Sequence, residues 1–329
     1  MIDTESPRGV VITNLSLNLT ESASRYPDAA ALRCADVTTT YSMLADDVAR
    51  FADYLIDGGL EPGDRVGVML PNGAALAVVF YGALRAGGVV VPMSPSLRFR
   101  AVEFDSTVTD ARILFHAGRR AVATELAAVT AGTQPVRVGK HGIATLTAGF
   151  AGRTGPVDRA EDDIAVTLYD SGTTGVPEVT QLTHADLASN GSVIARRVLD
   201  LGSDDIVMGC LPLFEGFGLS CGLLAAVSAG ATLILLPRFD SRRALEVIAA
   251  ERVTVFEGGP AMYKSMLAAA DRHQLDFSSL RVCMSIGASM PEDVLSRFED
   301  RFGCMVVQAT ESAFNDAWLV TGAIGGEEA

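Results

Sequence analysis

Arg65-Val-Gly-Val-Met-Leu-Pro71, a helix-like run from Ala74 to Arg85, Gly87-Gly88 and Val89-Val-Val-Pro92 read in order as strand, helix, turn and strand. The two strand runs are apolar throughout instead of alternating, as expected when both faces of a parallel sheet are covered. Upstream, Leu44, Val48, Phe51 and Leu55 recur at helical spacing with Asp46, Asp47, Arg50 and Asp53 between them, and Gly58-Gly59 ends the pattern. Downstream, short apolar runs return at Ala111–Phe115, Ile164–Tyr169, Ile206–Cys210, Thr232–Leu236, Val253–Phe256 and Val282–Ser285. The alternation predicts a doubly wound α/β architecture. Between about Ala121 and Asp158 the pattern weakens into Gly, Thr, Ala and Arg, which reads as a surface excursion.

The composition narrows the function classes. A chain of 329 residues with 49% hydrophobic content can bury a large core. Its formal charge of −14 repels phosphate backbones and anionic membrane surfaces, so nucleic acid is not an expected partner. Gly216 to Leu236 carries no charge and is long enough to cross a bilayer, at roughly 20 residues. Gly230 divides it into a small-residue helix and a short β-rich run closed by Pro237, so a buried helix and a central strand are expected instead of a membrane span. The five cysteines lack metal-ligand or redox-pair spacing and the N-terminus lacks a signal pattern, which predicts a cytoplasmic protein with reduced thiols.

The densest chemistry lies in Tyr169-Asp-Ser-Gly-Thr-Thr-Gly-Val-Pro-Glu178, with Thr183-His184 shortly after. A strand delivers the chain into a loop whose glycines can take positive φ and whose hydroxyls and amides can wrap polyphosphate. The Walker spacing is absent, as is a Gly-x-Gly-x-x-Gly run after a strand, which argues against a dinucleotide oxidoreductase. This loop, in order with GDRVGVMLPN, GALRAGGVVVPMSPSLRFRAVEF, LPLFEGFGL, SIGASMP and Ala309-Thr310-Glu311, resembles the adenylate-forming superfamily of acyl-CoA synthetases, from about Asn14 to about Glu311. The resemblance implies two packed doubly wound, mainly parallel sheets with helices on both faces, without the β-barrel subdomain and C-terminal domain. One domain of interleaved lobes, about 45–185 and 186–318, with a loose tail at 319–329, is expected.

By the same resemblance, Ser171, Gly172, Thr173, Thr174 and Gly175 hold the β and γ phosphates of ATP, with Glu178 beside them. Thr310 meets the α phosphate as a catalytic residue. Glu311 helps hold Mg²⁺, an ion that prefers oxygen ligands. Gly287 and Ala288 line the adenine (ATP/AMP) site, while Phe214, Glu215, Gly218 and Met262 border an acyl or aromatic carboxylate. The implied reaction is attack of that carboxylate on the α phosphorus, giving acyl-AMP and pyrophosphate.

Three positions depart from the family pattern. Glu178 stands where Lys is usual, with Val179 in place of Gly; a unit charge at about 4 Å is worth roughly 1 kcal/mol in water and about 4 at an effective dielectric of 20, and reversing its sign doubles the swing. The Gly-aromatic-Gly step before Thr310 is missing, which removes a stacking surface for the purine. Glu215 replaces a His. The sequence also ends before the ribose-gripping Asp, the hinge and the C-terminal domain. Two readings follow: a truncated acyl-CoA synthetase lobe with weak or no ATP-dependent adenylation on its own, or a non-catalytic binding, regulatory or partner subunit. An uncovered sheet edge near residues 282–320 would favour a homodimer or a protein partner.

Overall fold

The computed structural model describes residues 14–118, 121–139, 142–170, 178–270 and 275–309. A hairpin, β1 (Ala30–Cys34) and β2 (Val37–Thr40), precedes β3 (Arg65–Met69), β4 (Val89–Pro92), β5 (Ala111–His116), β6 (Gln134–Arg137), β7 (Ile164–Asp170) and β8 (Glu178–Thr183). Then come β9 (Ile206–Gly209), β10 (Thr232–Leu235), β11 (Val255–Gly258), β12 (Val282–Ile286) and β13 (Met305–Ala309). They form a seven-stranded sheet ordered β13-β12-β11-β9-β10-β1-β2 and a six-stranded sheet ordered β6-β5-β3-β4-β7-β8. Every pairing is parallel except β1 with β2 and β7 with β8. The fold is thus the α/β arrangement of two mainly parallel sheets with helices on their faces that the sequence implied.

One apolar layer joins the sheets. The helix Tyr41–Asp57 starts at Thr40, whose side chain accepts from the Met43 amide, a standard use of Thr at a helix N-terminus. Its buried Leu44, Val48, Phe51, Ala52 and Leu55 share a core cluster with Val66 and Val90 of the six-stranded sheet and Leu233 and Val255 of the seven-stranded one. The Tyr41 hydroxyl donates to Ala231 O at 2.7 Å, tying the same helix to the strand end before β10. A second cluster on the far face of the larger sheet includes Met208, Phe256, Tyr263 and Phe298.

The uncharged stretch Gly216–Leu236 folds as a π-helical segment Gly218–Leu224, an α-helix Ala225–Ala229 ended by Gly230 at φ 74°, and β10. No helix among the described residues is long and apolar enough to cross a membrane. The weakly patterned region after Ala121 holds more structure than its composition suggests: a helix Ala121–Thr130, then β6 on the sheet edge. Pro135 is tolerated there because an edge strand leaves one side of its ladder unpaired.

Two polar side chains set how distant segments meet. Asn72, three residues after β3, donates from Nδ2 to Leu211 O at 2.8 Å and accepts from the Leu213 amide at 2.9 Å, so one amide clasps the loops that follow β3 and β9. His184 opens the helix His184–Val193 behind a Thr183/Asp186 capping box; it is fully buried, and its Nδ1 accepts from the Leu15 amide at 3.0 Å. Asn72→Ala would leave Leu213 N–H and Leu211 C=O unpaired, so a loss of about 1–3 kcal/mol in urea unfolding is expected. A loss below about 0.5 kcal/mol would show that the clasp does not hold the loops.

Candidate active site

Each sheet contains a point from which strands are added in both directions. From β3 the chain adds β4 on one side and β5 on the other; from β9 it adds β10 on one side and β11 on the other. Ligands of open α/β sheets bind outside the carboxyl ends of the strands at such reversals. Because Asn72 follows β3 and Leu211–Leu213 follow β9, the clasp places the two reversal points side by side.

Several candidate residues surround this double crevice. Phe214 is half-buried and Glu215 exposed; Glu215 donates its amide to Pro212 O at 3.1 Å and its carbonyl accepts from Leu219. Gly218 is buried against the Leu211-Pro212 backbone, and a Cβ there would lie 2.1 Å from Pro212 O, so this turn accepts no side chain. Gly287, after β12, has φ 93° and open space where a side chain would stand, while Ala288 and Ser289 are exposed. The turn is held from below: the Gly287 amide donates to Ala309 O at 3.3 Å, and Gln308 Oε1 accepts from the Met290 amide at 2.8 Å. The turn therefore presents an open, exposed ledge at the carboxyl end of β12. Met262 is half-buried and packs with the second core cluster, its sulfur beside Gly258.

The loop residues Ser171, Gly172, Thr173, Thr174 and Gly175, and also Thr310, Glu311, Phe314 and Trp318, lie outside the described residues. Glu178 is the first residue of β8, and its backbone pairs with that of Asp170 at the end of β7. Two acidic residues therefore occupy the positions that close the loop.

A family model for the AMP-binding enzyme matches residues 19–319. The chain is 29% identical to the long-chain-fatty-acid–CoA ligase of Bacillus subtilis (strain 168), covering 92% of this chain and 60% of that protein. It is 33% identical to a feruloyl-CoA synthase of Amycolatopsis sp, covering 87% and 57% respectively. It is 31% identical to the benzoate–CoA ligase of Thauera aromatica, covering 83% and 53%. A benzoate CoA ligase from Burkholderia xenovorans LB400 superposes with a TM-score of 0.84 at 28% identity over 91% of this chain and 61% of that one. The N-terminal domain of FACL13 from Mycobacterium tuberculosis gives 0.83 at 26%, over 90% and 75%. The chain belongs to the AMP-binding enzyme family. It spans somewhat more than half the length of these curated relatives.

Within this member of the AMP-binding enzyme family, the feature least visible in the sequence is Glu257. It lies in β11, opposite Gly209 of β9, so it sits at the strand reversal itself. Its side chain is fully buried, and neither oxygen has a hydrogen-bond partner among the described residues. Burial alone pushes it up to about 8. Cys210 and Cys221 share its surroundings, and burial followed by the nearby Glu257 charge raises both thiols, Cys210 to about 12.

Other groups resolve into supports. Burial, then the charge of Arg159, pulls His184 down to about 4, so it is a neutral anchor; its contribution is lost as the pH falls from 6.5 toward that value. His116, isolated in the sequence, has Nε2 3.4 Å from Glu125 Oε1, yet burial lowers its pKa. His141 and His273 lie outside the described residues. Asp240 caps the helix Ser241–Glu251 by accepting from the Arg243 amide at 2.9 Å. Cys283 and Cys304, far apart in sequence, bring their sulfurs to 3.6 Å as free thiols, because β12 and β13 are neighbours. A cavity of about 160 Å³ lined by Tyr54, Arg112, Gln134 and Phe150 sits at the opposite, amino-terminal ends of β5 and β6.

Glu257 makes stability depend on pH. The folded chain retains a proton on Glu257 that the unfolded chain releases between 4.5 and about 8, so stability falls as the pH rises through that window. Glu257→Gln removes this slope. Relative to the parent, the variant should gain stability by a few kcal/mol between about pH 5 and pH 8 in urea unfolding. Parallel pH profiles for the two proteins would contradict the assignment.

Proposed function

We propose that this chain is the carboxylate- and nucleotide-binding portion of an acyl- or aryl-CoA ligase. The acid enters beside Phe214, Glu215 and Gly218, and the adenine of ATP or AMP lies on the Gly287-Ala288 ledge. The supporting observation is the Asn72 clasp, which unites two strand reversals into one crevice in a fold whose relatives are CoA ligases. In this reading Ser171, Gly172, Thr173, Thr174 and Gly175 contact the phosphates, Thr310 the α phosphate, and Glu311 the Mg²⁺ ion. ATP supplies the electrophilic phosphorus for the carboxylate. The chain's own part is to orient the two reactants and exclude water, a contribution that positioning alone can make large.

Asp170 and Glu178 at the two ends of the loop favour a second reading, a binding module that retains the acid pocket and handles the triphosphate poorly. Two negative charges beside polyphosphate oppose binding where a lysine would attract it. Calorimetric titration of Mg-ATP separates the readings. If Glu178 weakens the nucleotide site, Glu178→Lys tightens Mg-ATP at least about tenfold, equal to about 1.4 kcal/mol. Equal affinities in both proteins, strong in each, would remove the acidic loop as an obstacle and leave the ligase reading alone.

A further inference from the structure

Glu257 is the one carboxylate among the fully buried polar residues of the described chain. Other acids that reach inward have partners. Asp205 receives Arg281, the Thr254 hydroxyl and the Gly202 amide. Glu299 accepts from the Val306 amide. Neither oxygen of Glu257 has a partner among the described residues; the carboxyl lies beside Gly222, and its charge reaches the thiols of Cys210 and Cys221. An acid placed so deeply is normally hydrogen-bonded or paired, and an apolar residue would fill the same place more stably. No group of the described residues donates to it.

The direction from which a donor can arrive is set by the geometry. Glu257 faces the segment Gly218–Leu224, which follows the turn that carries Phe214 and Glu215. Its Oε2 lies 3.5 Å from where a Cβ on Gly222 would be, one helical turn beyond Gly218. Gly222 carries no side chain, so on that flank no side chain of the facing segment stands between the carboxyl and the Gly222 backbone. The facing segment is π-helical, an arrangement frequent at functional sites because it widens a turn.

We infer that Glu257 selects the substrate class, a carboxylic acid whose distal end bears a protonated amine that pairs with Glu257 at the inner end of the pocket. The inference rests on the reading that the acid enters beside Phe214, Glu215 and Gly218. An ammonium group supplies several N–H donors to two bare oxygens and offsets their charge. An alkyl tail would leave the acid unpaired, and a hydroxyl would satisfy one oxygen only.

The test uses matched acids: para-aminomethylbenzoate against para-ethylbenzoate, and omega-aminohexanoate against heptanoate. Each is titrated calorimetrically into the full chain, Glu257→Gln and Glu257→Leu. In at least one pair the parent should bind the amine about tenfold or more tightly, Glu257→Gln should lose most of that preference, and Glu257→Leu should reverse it. Circular dichroism checks that the variants fold. Should they not, the parent still reports: in buffers of different ionisation enthalpy, the amine should release close to one proton near neutral pH and its alkyl partner none. If the alkyl acids bind as tightly as the amines, the Glu257 inference fails while the carboxylate site stands. If no acid of either pair binds, the site itself fails and the inference with it.

Discussion

The double hydrogen bond of Asn72 to the backbone of Leu211 and Leu213 is the constraint on which the rest of the candidate site depends. Parallel sheets bring their ligand-binding ends to one side, but two separate sheets need not present those ends to each other. The shared apolar layer of Phe51, Val66, Leu233 and Val255 fixes how the sheets stack. The Asn72 amide then fixes how the loops meet. Hydrophobic burial is non-directional and sets proximity; one side chain that both donates and accepts sets register.

The site's electrostatics are arranged against the ordinary preferences of a core. His184 is buried in a neutral state and serves as an acceptor for the backbone of Leu15, which is stable so long as it stays uncharged. Glu257 is buried with nothing to receive, which is stable only when protonated or when something from outside pairs with it. The first is paired at Nδ1 and buried without a partner among the described residues at Nε2. The second is paired at neither oxygen, and such polar groups concentrate where proteins bind something.

Much of the fold was legible because buried parallel strands write themselves as unbroken apolar runs. Val66 to Leu70, Val89 to Val91 and Thr232 to Leu236 needed no partner to be recognised. Among the strands that carried no such signal are the polar edge strands Val37–Thr40 and Glu178–Thr183 and the Pro-bearing edge strand Gln134–Arg137, where only one side is paired and the sequence is free to be hydrophilic. Gly287-Ala288 was legible as part of a motif, while the open left-handed turn at Gly287 is visible only in the structure. Glu257 was not legible. It stands between an apolar run and Gly258-Gly259-Pro260, where a charged residue reads as the start of a loop, and only strand register shows it to be interior. Asn72 was visible merely as the end of a strand-plus-turn phrase, since the loop it clasps lies 139 residues away. The Cys283–Cys304 proximity likewise comes from strand adjacency, which spacing along the chain cannot encode.

The most direct measurement is a crystal structure of the chain with a non-hydrolysable acyl-adenylate analogue. A single crevice formed by the two clasped strand reversals predicts one molecule spanning it, the purine against Gly287 and Ala288 and the acyl group between Phe214 and Gly222, directed toward Glu257. An analogue seated instead in the cavity lined by Tyr54 and Arg112, or one whose acyl end leaves the crevice away from Glu257, would contradict the account.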